Sequence, residues 1–223
     1  MPSGIRRRLE AHRFKFLLCG LVLIIIFRAF AEGDREFGQG VVAIGLGLPL
    51  FGLLASTESR TRFVIALILA LGALASSGGV VSGALSVRQS AALEVSFLLL
   101  VFTTVMVFAG VFRSRKVTGD VLAGAIAGFV LLGLTWGAAL ALVQSRHAQS
   151  FLVAATGTPP TYDDLLYFSF VTLMTIGYGD ITAMAQPARA LVIFEGLTGV
   201  AFNTIVLATL VSKYLVHTSK TVD

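Results

Sequence analysis

One short stretch of the chain has residue types and a spacing that could do chemistry. "MTIGYGDI", Met174 to Ile181, lies between apolar segments and places glycines at 177 and 179, with a tyrosine between them and an aspartate after. Glycine enters left-handed backbone conformations at little steric cost. Alternating handedness along an extended segment turns successive carbonyls the same way. Several copies around one axis would make stacked rings of oxygens, able to replace the water shell of a weakly hydrated cation. The chemistry offered is therefore cation ligation by main-chain carbonyls. Glu195, in the following apolar run, is a further candidate, because an ionisable group inside a span is costly and marks function by default. For an enzyme the sequence offers no nucleophile–base arrangement, no clustered metal ligands and no phosphate-binding loop. No cofactor is expected.

Such a stretch needs elements to hold it, and the composition says where they sit. The chain has 223 residues, 56% hydrophobic and only 13% charged, against about 25% charged in an ordinary soluble domain. It reads as an all-α integral membrane protein. Six apolar runs are long enough to span: Phe14–Phe30, Phe37–Ala55, Phe63–Val81, Ala91–Phe112, Val117–Val143 and Ala188–Val216. A spanning helix needs about 20 mostly apolar residues. The formal charge of +5 does not point to nucleic acid, because the basic residues cluster at the ends of the runs. With the N-terminus inside, Arg6, Arg7, Arg8, Arg13, Lys15, Arg60, Arg62, Arg113, Arg115, Lys116, Lys213 and Lys220 fall on the cytoplasmic side, a positive-inside bias. Both termini are then cytoplasmic and the glycine stretch faces outward. A cleaved signal peptide ending at "AFA" is the alternative for the first run; its length and Arg28 favour a retained span. Cys19 reads as a small buried hydrophobe.

"RSRKVTGD", Arg113 to Asp120, divides the chain into a four-helix N-terminal region (1–113) and a C-terminal region (114–223) that carries the glycine stretch. The fifth run contains two GxxxG spacings, Gly124 with Gly128 and Gly133 with Gly137, which read as close helix packing. Between the fifth and sixth runs, "PPTYDDLLYFSFVTLM" reads as a helix too short to span. Pro159 and Pro160 stop any preceding helix, and Thr161 with Asp164 forms a T-x-x-D capping box. The helix enters from outside, and its negative C-terminal end points at the middle of the bilayer. Irregular backbone at that depth must be buried in protein or line a water-filled cavity.

"TIGYGD" resembles the selectivity filter of potassium channels, and "LLYFSFVTLMTIGYGDIT" followed by "ARALVIFEGLTG" is especially similar to bacterial members. The likeness covers roughly the last hundred residues: outer helix, re-entrant pore helix, filter and inner helix. It implies a K+-conducting homotetramer in a cell membrane, with prokaryotic relatives. The filter would be Thr175, Ile176, Gly177, Tyr178 and Gly179. Carbonyls of Thr175, Ile176, Gly177 and Tyr178, with the Thr175 hydroxyl, would coordinate dehydrated potassium. Tyr178 would point away from the axis, and Tyr167 and Phe168 would match the family's supporting aromatic pair. Asp180 would bond behind the filter, to Tyr167, or stand as a solvated charge at the mouth. The sequence departs from the family at Met174, where Thr or Ser is usual, and at Ala183, where proline is usual.

In the inner helix, Gly199 matches the family's hinge glycine, and close packing against the pore helix is the other reading. Val200, Asn203, Leu207 and Val211 share one helical face, which the resemblance assigns to the cavity. Asn203 would hydrate the ion there or bond to a neighbouring helix. Glu195 would support the filter through a hydrogen bond, with Thr172 as a partner, or sense protons. The fourth run has no arginine, so voltage sensing is not expected. Leak-like conduction and gating by lipid, pH, ions or a separate partner remain as readings, with the gate at the filter or near Leu207 to Val211. The competing functions are a weakly selective monovalent cation channel and a non-conducting channel subunit.

Overall fold

Glycine spacing decides how the helices pack. The computed structural model describes residues 12–30, 85–114, 117–206, 208–209 and 211–212. Its elements are α1 (Arg13–Phe30), α2 (Leu85–Arg113), α3 (Gly119–Arg146), β1 (Phe151–Val153), α4 (Tyr162–Leu173), β2 (Ile181–Ala183) and α5 (Gln186–Ala201), which runs on into a π-helical segment (Phe202–Val206). The expected spans Phe37–Ala55 and Phe63–Val81 lie outside the described residues. Among the described residues three helical stretches are long and apolar enough to cross a membrane: Leu93–Arg113, Gly119–Arg146 and Gln186–Val206. The protein is a mostly helical membrane protein. Two compact units divide inside α3, Met1–Val130 and Leu131–Asp223.

In the first unit, Phe14, Leu17 and Leu21 are buried on α1, the i, i+3, i+7 face of a helix. A side chain at Gly124 would collide with Phe14 and Val111, and one at Gly128 with the Phe108 ring. These glycines are therefore sockets for large residues of α1 and α2. Asp120, in the first turn of α3, accepts from the main-chain nitrogens of Phe14 (3.2 Å) and Lys15 (3.1 Å). It caps α1 from a distant part of the sequence, satisfying donors that a helix start leaves open. Cys19, expected to be buried, is exposed, because it lies off the face that packs.

In the second unit the other glycine pair does the same for α4. Gly133 receives the Phe170 ring, and Gly137 receives Leu166. Leu131, Leu140, Phe151, Leu165 and Leu173 form the buried centre. The start of α4 has the expected capping box: Thr161 Oγ1 accepts from Asp164 N (3.2 Å), and Asp164 Oδ2 accepts from Thr161 N (2.8 Å). The two strands were not read from the sequence. They pair antiparallel, Phe151 with Ala183, Leu152 with Thr182 and Val153 with Ile181.

Candidate functional site

The site lies where α4 ends. Met174 N donates to Phe170 O, Thr175 N to Thr172 O and Ile176 N to Val171 O, each at 2.9 Å. The last two bonds are the 5→2 and 6→1 pair of a Schellman cap, which needs a left-handed residue at its turning point. Thr175 fills that place with φ 58°. Glycine is usual there. A β-branched residue at positive φ is a true outlier, and such strain costs about 1–3 kcal/mol. Gly177 (φ 62°) and Gly179 (φ 77°) follow in the same left-handed region. Handedness thus alternates at 175, 177 and 179, with Ile176 and Tyr178 between. Nothing lies within 4 Å of where a Cβ at Gly177 or Gly179 would stand, so backbone conformation, and no crowding within the chain, calls for glycine at both.

Beyond Gly179 the segment is held again. Asp180 O accepts from Ala154 N at 2.8 Å, and its Oδ1 accepts from Ile181 N at 3.1 Å. The Asp180 carboxylate stands near enough to the Tyr167 hydroxyl to push that phenol above its ordinary pKa. Phe168 is buried edge-on against Phe151, ring centroids 5.9 Å apart. Tyr178 is 68% exposed in the single chain.

Glu195 sits behind α4, fully buried. Its partner is Ser169, one helical turn before the expected Thr172. Ser169 Oγ lies 2.5 Å from Glu195 Oε1 and 2.9 Å from Gly133 O. One hydroxyl hydrogen thus faces two acceptors, the Glu195 carboxyl and the Gly133 carbonyl. Among the described residues Glu195 Oε2 has no partner. The node joins α3, α4 and α5. A second tie runs from Trp136 Nε1 to Thr198 Oγ1 (3.0 Å), and Thr198 bonds back to Glu195 O (2.7 Å). Close by, a Cβ at Gly199 would strike the main chain of Leu173. The end of α4 therefore rests directly on the α5 backbone, the geometry of the close-packing reading.

Val200, Asn203 and Val211 are exposed, and Leu207 lies outside the described residues. Phe202–Val206 winds as a π-helix, which breaks the 3.6-residue period on which a shared face depends. Such segments are rare and recur at functional sites. Sequence reasoning missed it, along with Ser169, Trp136 and Phe151. For Ser169 a signal existed: a small hydroxyl between phenylalanines in an apolar helix needs a partner once buried.

The site is thus a capped short helix ending in alternating left-handed backbone, tied from behind to the last helix through Ser169 and Glu195. No curated protein and no solved structure matches the chain. Residues 125–215, from within α3 through α4 and the glycine stretch to past the π-helical segment, match the model of a family described as ion channel, and in this part the protein is similar to an ion-channel domain.

Proposed function

We propose that the chain is one subunit of a homotetrameric potassium-selective channel that conducts K+ passively across a cell membrane. The observation that carries this reading is the left-handed backbone at Thr175, Gly177 and Gly179, alternate residues directly after a short capped helix. One chain supplies one such segment, and a ring of carbonyls needs several. In a tetramer the carbonyls of Thr175, Ile176, Gly177 and Tyr178, with the Thr175 hydroxyl, form successive oxygen rings that stand in for the hydration shell of potassium. The negative end of α4 lowers the energy of a cation below the rings.

In this reading α4 is re-entrant and enters from outside, with both chain termini in the cytoplasm. Tyr167, Phe168, Asp180 and Glu195 hold the filter, and Gly199 lets the filter's base sit on the inner helix. Val200 and Asn203 line the cavity, and Leu207 and Val211 are candidate gate positions. Among the described residues of α2, the stretch Leu93–Arg113 carries no arginine before its last residue, so that helix lacks the arginine series a voltage sensor uses. The channel is either a leak or gated by lipid, pH, ions or a separate partner.

The test is flux of K+ and Na+ through the purified protein in liposomes, with and without barium. Potassium flux that barium blocks, with little sodium flux, is expected. Equal flux of the two ions would make it a weakly selective cation channel. No flux from a confirmed tetramer under any stimulus would make it a silent subunit.

A further inference from the structure

The loop between α3 and α4 does more than connect them. Its strand β1 pairs with β2 in a register that gives Leu152 and Thr182 as partners. The ladder continues on both sides: Ala154 N donates to Asp180 O at 2.8 Å, and Met184 N to Ser150 O at 2.8 Å. Hydrogen-bonded pairs alternate with non-hydrogen-bonded pairs in an antiparallel ladder. The bonded pairs are therefore Ala154–Asp180, Leu152–Thr182 and Ser150–Met184. Phe151–Ala183 and Val153–Ile181 are the non-bonded ones.

The strand is itself anchored. Phe151 and Ser150 are fully buried. Phe151 N donates to Gln144 Oε1 of α3 at 3.0 Å, and its ring meets Phe168 of α4 edge-on. Ser150 Oγ donates to His147 O at 2.6 Å. Gln149, just before the strand, has φ 66°. Among the described residues it is the only non-glycine besides Thr175 in the left-handed region. Backbone strain of this kind persists only where the surroundings over-determine it. The two strained positions stand at the two structures that grip the glycine stretch, the Schellman cap below it and the clip beside its outer end.

We propose that β1 is a positioning element for the ion pathway: by hydrogen-bonding β2 it fixes the outer end of the Thr175–Gly179 segment, so that the spacing of the Tyr178 and Gly179 carbonyls depends on the loop. This rests on the channel reading. The segment is tied at Thr175 and Ile176 from α4 and at Asp180 from β1, and the glycines between the ties have backbone freedom to drift if either is cut. Leu152 and Thr182 are positioning residues through their main chains. The register also accounts for Ala183. Its N–H points out of the ladder, so a proline there removes no ladder bond, whereas a proline at Thr182 or Leu152 removes one.

The experiment compares Thr182→Pro and Leu152→Pro with Ala183→Pro in the full-length protein, using assembled tetramers only. Two readouts are taken: the K+/Na+ flux ratio in liposomes and amide exchange over residues 176–184. Thr182→Pro and Leu152→Pro are expected to speed exchange and lower the flux ratio about tenfold, the size of one or two lost backbone bonds. Ala183→Pro is expected to leave both within about twofold of the parent. Faster exchange with an unchanged ratio would overturn the proposal, since the clip would then be structural only. So would equal damage from all three prolines, because the alternation of the ladder would then be irrelevant. A parent protein that passes sodium as readily as potassium would overturn the potassium-channel reading and this proposal with it, a result distinct from a selective parent whose flux ratio the prolines leave unchanged.

Discussion

The two ends of α4 are built by opposite rules. At its start, side chains do the capping: Thr161 and Asp164 exchange hydrogen bonds and satisfy donors that water would otherwise serve. Every residue there favours the conformation it adopts. At its end, main-chain bonds make the cap, and the turning residue is a threonine held at φ 58°, where glycine would cost less. The start is chosen for stability and the finish against it. Nothing in the local backbone favours Thr175 at that place; in the channel reading, its hydroxyl or its stiffness is what the position uses.

The largest effect comes from extending the penalty at Thr175 to the residues that avoid it. Gly177→Ala and Gly179→Ala place an L side chain at φ 62° and 77°, at ~1–2 kcal/mol per residue. In the proposed tetramer four copies share one ring, so potassium flux should fall on the order of a hundredfold or more. Liposome flux checks this. Because a Cβ would meet nothing in the chain itself, tetramer assembly seen by size-exclusion should survive better than flux does.

Next come the residues behind the helix. Glu195→Gln keeps a donor toward Ser169 and should shift stability by ~1 kcal/mol or less. Glu195→Ala leaves a hole and takes away one of the two partners of the Ser169 hydroxyl, which keeps its bond to Gly133 O, and should cost about 2–4 kcal/mol. Thermal unfolding of the tetramer in detergent separates the two. A loss with Gln as large as with Ala would show that an ionised carboxylate is needed there. Gly199→Ala pushes a methyl into the Leu173 main chain and should cost about 1–3 kcal/mol through overpacking. If Gly199 serves as a hinge alone, stability will hold and only the rate of opening will change.

How much of this could be read beforehand follows from how local each signal is. The capping box was legible because Thr161 and Asp164 are three residues apart and act on their own turn. Gly177 and Gly179 were legible because glycine states its backbone freedom in its identity. Thr175 at positive φ was not, since a β-branched side chain argues against that conformation and only the two cap bonds impose it. Glu195 was seen to need a partner, but Ser169 and Thr172 lie one turn apart on the same side of α4, and the register of α4 on α5 chooses between them. The strands β1 and β2 have three residues each, too few for any period, and exist only because the loop folds back on Asp180. The wide winding at Phe202–Val206 has no marker residue at all. Asp120 capping α1 is likewise a meeting of distant segments.

A direct way to sharpen the contrast is Thr175→Gly. It removes the left-handed penalty and should leave the tetramer as stable or stabilise it by ~1 kcal/mol, while the K+/Na+ flux ratio falls. A variant that gains stability and keeps its selectivity would show that neither the hydroxyl nor the stiffness of Thr175 is used.

The smallest expected effect is at the other end of the same helix. Thr161→Ala removes the side-chain acceptor for Asp164 N and the donor to Asp164 Oδ2. A lost N-cap costs about 0.5–2 kcal/mol, and the exposed site puts it at the low end. Asp163 and Asp164 still face the positive end of the helix, which retains part of the dipole stabilisation. The variant should therefore lower the thermal midpoint slightly and leave the flux ratio unchanged, because the bonds that grip Thr175, Ile176 and Asp180 lie at the far end of α4 and in the clip. A change in selectivity from Thr161→Ala would mean that the whole helix moves as a lever on the glycine stretch, and the two ends of α4 could then no longer be treated as separate devices.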